Sequence, residues 1–223
     1  MDATYIENRN KSHSNTYKLF RRMERITLAI QSCKPGKNLS LLDIGAADGV
    51  LLEFLNKRLN LDKAVGVEPS LECVRLVKSG NLKLIQAIGE KLPFKGESFD
   101  IVVAASVIDH LSDVNMFLDE LRRTLKPKGV LVLTAIVPFY DKLANITGFD
   151  KGLHPHVRTF NMRALKKILI ENKFNILLSE KFALPSFGLL PFEEAIENFF
   201  RNVGLDFFMF YSLVVAENKL NKA

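Results

Sequence analysis

The chain has 223 residues, 48% hydrophobic and 25% charged, an ordinary globular balance that argues against disorder and leaves room for one domain with a sizeable core. Its net charge of +6 is unevenly divided: residues 1–40 carry 8 basic and 3 acidic side chains, residues 41–120 carry 8 and 13, residues 121–190 carry 12 and 4, and residues 191–223 carry 3 and 5. Cys33 and Cys73 form no CxxC pair, which speaks against a disulfide scaffold or zinc ribbon and fits a reducing, cytoplasmic setting; the first residues lack a signal-peptide run, and no apolar run reaches the roughly twenty residues of a membrane span.

In chain order, Thr16–Cys33 predicts an amphipathic helix, with Leu19, Met23, Ile26 and Ile30 at spacings of three and four and arginines between them as a solvated face. Pro35-Gly36 ends it. A buried strand at Leu39–Ile44 leads through a small-residue loop, Gly45–Gly49, into a helix over Val50–Leu59. Strands follow at Lys63–Glu68, Lys83–Gln86, Phe99–Ala105 and Val130–Val137, with helices at Leu71–Lys78 and Val114–Leu125. That alternation implies a mostly parallel sheet covered on both faces. Beyond it come an irregular stretch (Pro138–Thr159), a helix (Asn161–Asn172), a strand (Asn175–Glu180), an aromatic insertion (Phe182–Gly204) with a helix at Phe192–Asn202, and a last strand at Asp206–Glu217. Eight of the seventeen phenylalanines lie between Phe182 and Phe210. They read as core or the wall of a lid, with an apolar substrate or a membrane surface as the sharper alternative.

The chemistry concentrates after the first strand. Asp43-Ile44-Gly45-Ala46-Ala47-Asp48-Gly49 is a turn that lets a ligand approach backbone at a helix start, but it is not GxGxxG, and Asp43 would repel a pyrophosphate and attract an ammonium or sulfonium. Glu68, about twenty residues on, suits two ribose hydroxyls. The pair describes a site for S-adenosylmethionine.

The stretches LLDIGAADG (41–49), VGVEPS (65–70), GEKLPFKGESFDIVVAASVIDHL (89–111) and ELRRTLKPKGVLVLTA (120–135) resemble class I S-adenosylmethionine-dependent methyltransferases of the small-molecule type 11 group, akin to quinone-biosynthesis methyltransferases. The resemblance implies a single Rossmann-like domain over 1–223, with a seven-stranded, mostly parallel sheet, helices on both faces and an antiparallel last strand. Residues 1–38 would be a helical cover, 39–137 the cofactor half, and 138–223 the substrate half with the aromatic insertion at 182–204. It further implies that Gly45, Ala46, Ala47 and Gly49 wrap the methionine part of the cofactor, Asp43 faces its amino group, and Glu68 holds the ribose. Pro69, Ser70, Ile88, Gly89 and Glu90 would surround the adenine, and Ser106 and Val107 would lie under the sulfonium. S-adenosylhomocysteine would be the product. Ala47 stands at the loop's central glycine position, so a left-handed backbone there would cost about 1 kcal/mol. Ile88 stands where an aspartate is usual, and Lys128 replaces a turn glycine.

Methyl transfer to a nucleophilic atom needs alignment, a dry pocket and, for an oxygen acceptor, a base. His110, His154 and His156 are the candidates, with a packed, structural role for Asp109-His110 as the alternative. Tyr140 and Arg158 are candidate acceptor contacts, Arg158 meeting an anion or a backbone carbonyl. His154 and His156 lack the further ligands of a metal site. The basic segment 121–190 suggests an anionic acceptor, unless lysines such as Lys166 and Lys167 only solvate a helix face. A small-molecule acceptor is the main reading, with peripheral membrane contact in addition. RNA is an alternative acceptor, although SVIDH after the fourth strand is not the sequence of base-amine methylases. A noncatalytic protein binding a partner through the aromatic insertion is another. The oligomeric state is not encoded in any of these features.

Overall fold

The computed structural model describes residues 3–77, 82–140, 142, 157–184 and 192–219, without the side chains of Ala3 and Tyr5. Seven strands, β1 (Ser40–Ile44), β2 (Lys63–Glu68), β3 (Lys83–Gln86), β4 (Phe99–Ala105), β5 (Leu125–Ile136), β6 (Phe174–Phe182) and β7 (Tyr211–Asn218), form one sheet in the order β3-β2-β1-β4-β5-β7-β6. The first five run parallel, and β7 is antiparallel to both β5 and β6. This is the predicted doubly wound sheet with its antiparallel last strand.

The strands are continuous apolar runs because both faces are covered. Leu42, Val102, Leu131 and Leu133 face one layer, filled by Phe117, Leu118 and Leu121 of α5 (Val114–Thr124) and Leu165 and Leu169 of α6 (Met162–Glu171). Leu41, Ile101, Val103 and Val132 alternate to the other face, against Met23, Ile26 and Ile30 of α2 (His13–Cys33) and Leu51, Leu52 and Leu55 of α3 (Val50–Leu59). Side-chain oxygens of Ser12, Asp113 and Asn161 cap α2, α5 and α6 by accepting backbone N–H bonds, supplying partners the first turns lack. A short helix, α4 (Leu71–Arg75), follows β2.

Several boundaries differ from expectation for local reasons. A helix α1 (Ala3–Lys11) precedes α2. Its sequence has no apolar stripe to announce it, and it is tied down by the Arg9 guanidinium, which grips both carboxylate oxygens of Asp48 at 3.0 and 2.7 Å. Strand β5 begins at Leu125 because Leu125 already pairs with Phe99; Lys128, at φ +58, makes the irregular step that a glycine would make without strain. Strand β7 begins only at Tyr211, opposite Phe182, and Asp206–Phe208 is a 3₁₀ turn.

The largest correction concerns the arginines of α2. They do not form a solvated face. Arg21 pairs with Glu197 at 3.0 Å, Arg25 binds Glu180 through two nitrogens, and the Tyr17 hydroxyl donates to Glu193. Glu193 and Glu197 belong to α7 (Glu193–Asn202), whose only buried residues are these two acids. The apolar residues Phe199 (59%) and Val203 (51%) face outward on α7, with Phe192 (83%) at its N-cap. The insertion helix is therefore inside out, docked on α2 by charge, and only part of the aromatic segment, such as Phe182, Met209 and Phe210, is core. Glu197 is 2% exposed, and burial pushes its carboxyl up while Arg21 pulls it down. Removing one partner of such a pair strands the other, at about 3–5 kcal/mol. Arg21→Met is thus expected to lower unfolding stability by about that amount, and Arg21→Met/Glu197→Gln to recover part of the loss, as read by urea denaturation of the two variants and the wild type.

Candidate active site

Alternation along β1 sets Asp43 on the same face as Leu41, so its carboxylate emerges under α2 at the C-terminal end of the sheet. The loop that follows is bent by three left-handed residues, Gly45 (φ +71), Ala47 (φ +50) and Gly49 (φ +78). At Gly45 a Cβ would sit 2.8 Å from a Val107 methyl, so only glycine passes there. Ala47 does take the strained conformation its position implied. It is held there by Glu68, whose Oε2 accepts from the Ala47 N–H at 3.0 Å while Oε1 accepts from the Ser70 N–H at 3.1 Å. The Gly45 and Ala46 amides donate to the Val67 carbonyl, completing the turn.

A cavity of about 110 Å³ lies over this loop. Asp43, Gly45, Ala46 and Ala47 form its floor, and Ala105, Ser106 and His110 its side toward β5. Ile136, Phe210 and Tyr211 close the end toward β7, and α2 roofs it with Asn15, Lys18, Leu19 and Arg22. Ser106 is also left-handed (φ +56), and its Oγ accepts from Arg22 Nη1 at 2.9 Å.

Three buried side-chain atoms of the described residues lining this cavity lack a hydrogen-bond partner. Asp43 is 1% exposed, and neither carboxylate oxygen has a hydrogen bond. Burial, with the Glu68 charge adding to it and Arg22 opposing it, lifts its pKa from 3.8 to about 8. Arg22 Nε is likewise buried without a partner. Buried polar groups are nearly always satisfied, so an unpartnered Asp43 carboxyl at the floor with the Arg22 guanidinium lining the same cavity suits a zwitterionic ligand. The methionyl end of S-adenosylmethionine is such a group, with an ammonium for Asp43 and a carboxylate for Arg22. The residues present fit the cofactor.

Other predicted site residues are placed differently. Gly49 starts α3, and Glu68 is fully buried behind the loop. Pro69, Ser70, Ile88, Gly89 and Glu90 lie toward β3, outside this cavity. There Ser70 caps α4, Ile88 is 51% exposed, and Gly89 is pressed against Phe117, where a Cβ would stand 2.5 Å from the ring. Val107 packs on the core beside Gly45. Tyr140 sits one layer behind Phe210, with ring centroids 5.1 Å apart, and its hydroxyl donates to the Phe208 carbonyl. Arg158 donates to the Ser112 carbonyl, the second of its two expected roles. His154 and His156 lie outside the described residues.

Among the described residues of 121–190, only Ile136 lines the cavity; Lys167 is exposed beside Glu171, and Lys126 binds Asp100. The cations that line the cavity among the described residues, Arg9, Lys18 and Arg22, come from the first forty residues. Their signal was present in the sequence: Asn15, Lys18, Leu19 and Arg22 extend the same stripe as Met23, Ile26 and Ile30, so they face inward.

This sheet order, with an unpartnered acid on the floor and a strained loop at the ends of β1 and β4, fits the class I S-adenosylmethionine-dependent methyltransferases. The family model described as a methyltransferase domain matches residues 42–133. The chain is 28% identical over 172 residues to a ubiquinone biosynthesis O-methyltransferase of Bartonella quintana, covering 69% of each. Within the class, therefore, the chain resembles quinone-biosynthesis enzymes. Its fold superimposes on the YcgJ protein of Bacillus subtilis (TM-score 0.64, 19% identity, 88% of this chain and 98% of that one). It also superimposes on a Haemonchus contortus phosphoethanolamine N-methyltransferase in complex with S-adenosyl-L-methionine (TM-score 0.62, 16% identity, 87% and 52%).

The raised Asp43 pKa has a signed consequence. The folded protein without cofactor holds a proton that the unfolded chain releases near 3.8, so this group's stabilisation is complete below about pH 4 and is lost as pH climbs to about 8. Thermal midpoints of the cofactor-free protein are expected to fall across that window. Asp43→Asn should flatten the fall and raise the midpoint at pH 8; an identical slope in the variant would contradict the assignment.

Proposed function

We propose that this methyltransferase binds its cofactor with the ammonium on Asp43 and the carboxylate on Arg22, and passes the methyl group to an oxygen of a small-molecule acceptor held between Ser106, His110, Phe210 and Tyr211. The observation that carries this reading is the unpartnered Asp43 carboxylate at the cavity floor. The exposed Ile88 beyond β3 suits an adenine face, and Glu68 acts on the ligand through the two loop amides it holds. The bound cofactor supplies an activated methyl carbon. The chain's own residues orient it, exclude water and manage the acceptor's proton. His110, on the rim, is the described candidate for taking that proton. Residues 1–223 would act as one domain in the cytoplasm.

The similarity to ubiquinone biosynthesis O-methyltransferases points to quinone precursors, and the apolar residues Ile136, Phe210 and Tyr211 of the cavity agree with such a molecule. The outward aromatic face, Phe199, Phe207 and Phe208 with Phe139 nearby, adds a peripheral membrane contact from which an apolar acceptor would arrive. Among the described residues no helix is long and apolar enough to cross a membrane.

Isothermal titration with S-adenosylhomocysteine tests the cofactor reading. Because Asp43 is protonated before binding, titrations at pH 7 in buffers of different ionisation heat are expected to show release of about one proton, and affinity should rise from pH 6 to 8. Absence of binding at millimolar ligand would sink the proposal. For the surface, Phe199→Asp/Phe207→Asp should abolish co-sedimentation with phosphatidylcholine–phosphatidylglycerol vesicles while leaving S-adenosylhomocysteine affinity unchanged.

A further inference from the structure

Helix α2 is held in two different ways along its length. Its buried residues are Met23, Ile26, Thr27, Ala29 and Ile30, all in the C-terminal half, and the apolar four pack on the sheet. From His13 to Arg22 no residue is buried. The Thr27 hydroxyl marks the boundary by donating to the Met23 carbonyl at 2.8 Å, a back-bond that weakens a helix locally. Leu19 apart, the N-terminal half that roofs the cavity therefore takes its orientation from polar contacts.

Those contacts form two adjacent files, because successive helix residues point about 100° apart. Tyr17 and Arg21 reach sideways to Glu193 and Glu197 of α7, and Arg25 continues that file to Glu180 of β6. Arg22, the next residue after Arg21, turns into the cavity. There its Nη1 donates to Ser106 Oγ, and its guanidinium stands 5.7 Å from the centroid of the Tyr211 ring. The anchor of the first file is Glu197. Its Oε2 accepts from Arg21 at 3.0 Å, while its Oε1 accepts from the Leu184 N–H at 3.3 Å, just beyond β6. The sheet end thus holds Glu197, Glu197 holds Arg21, and Arg21 fixes the rotation of the roof. Rotating α2 by about 20° carries a side-chain tip about 6 Å from the axis through about 2 Å. A shift of that size breaks the 2.9 Å bond from Arg22 to Ser106.

We propose that Glu197 is a positioning residue for the cofactor site: through Arg21 it sets the rotation of the N-terminal half of α2, and so keeps the Arg22 guanidinium in the cavity for the cofactor's carboxylate. By linkage the effect is reciprocal. Cofactor held by Arg22 tightens the docking of α7 by the same factor by which docked α7 tightens the cofactor. The insertion helix thereby enters the energetics of the site, although none of Glu193–Asn202 lines the cavity.

This role of Glu197 rests on the cofactor reading, and two measurements keep them apart. Isothermal titration with S-adenosylhomocysteine is made on the full chain as wild type, Arg22→Met, Glu197→Gln and Arg22→Met/Glu197→Gln. Arg22→Met is expected to weaken binding by about 10- to 100-fold. Glu197→Gln should weaken it about 5- to 20-fold beside Arg22, and less than about twofold in the Arg22→Met background. A merely structural Glu197 would cost the same factor in both backgrounds. Hydrogen exchange reads the reciprocal effect without changing Glu197. Saturating S-adenosylhomocysteine should slow the amides of α7 by about 5- to 20-fold in wild type and by less than about twofold in Arg22→Met. Equal factors in the two backgrounds, no loss with Glu197→Gln, or wild-type α7 exchange indifferent to ligand overturns the role of Glu197, while wild-type binding keeps the methyltransferase reading intact. If Glu197→Gln does not fold, the exchange result decides alone. If wild type does not bind S-adenosylhomocysteine, both fall.

Discussion

Everything at the active end of the molecule follows from one uncompensated carboxylate. Asp43 is held in the interior by parallel strands on both sides, opposite Gly66 and Val103, and no backbone amide or side chain is supplied to it. A buried carboxylate in this condition either takes up a proton or waits for a cation. The neighbouring Glu68 is spent differently: its oxygens fix the two backbone segments that form the ligand loop. One acid thus keeps the loop in its strained shape so that the other can stay empty. Loop strain at Ala47 and Ser106 and the raised Asp43 pKa are components of one site held ready for a cationic ligand.

The roof obeys a complementary constraint. Helix α2 contributes apolar residues to the sheet along its C-terminal half and charged residues over the cavity along its N-terminal half. On its other flank it receives α7 through acids. Because Glu193 and Glu197 occupy the inward face of α7, Phe199 is left facing outward and Phe200 is only half-buried. The outward aromatic face is therefore the geometric consequence of docking this helix by ion pairs, and α2 is the element through which the insertion and the cofactor loop are mechanically joined.

Much of this was legible in the residues. Parallel strands covered on both faces read as short apolar runs, so β1 to β4 fell within a residue of expectation, and the small-residue turn after Asp43 located the ligand loop. What was not legible shares a single physical cause. Amphipathicity rules assign apolar residues inward and charges outward, and the functional parts of α2 and α7 break that rule. Arg21, Arg22 and Arg25 read as a solvated face, and Phe199 as core, because a periodicity shows which residues share a face without showing what that face meets. Helix α1 was missed for the related reason that it is held by an ion pair rather than by an apolar stripe.

The charge distribution along the chain changes meaning accordingly. The excess of acids in residues 41–120 reduces, at the cavity, to Asp43 and the Arg9-bound Asp48, since Glu68 is sealed behind the loop. The strongest basic excess, in residues 121–190, contributes no described cation to the cavity, while the smaller excess of residues 1–40 contributes Arg9, Lys18 and Arg22. Segment totals weigh every charge alike, but Coulomb energies inside a protein depend on depth and separation. A lysine on the outer face of α6 is screened by water within a Debye length, whereas one guanidinium opposite an unsatisfied carboxylate acts at low dielectric. Among the described residues, three on the cover helices therefore carry the positive charge at the site.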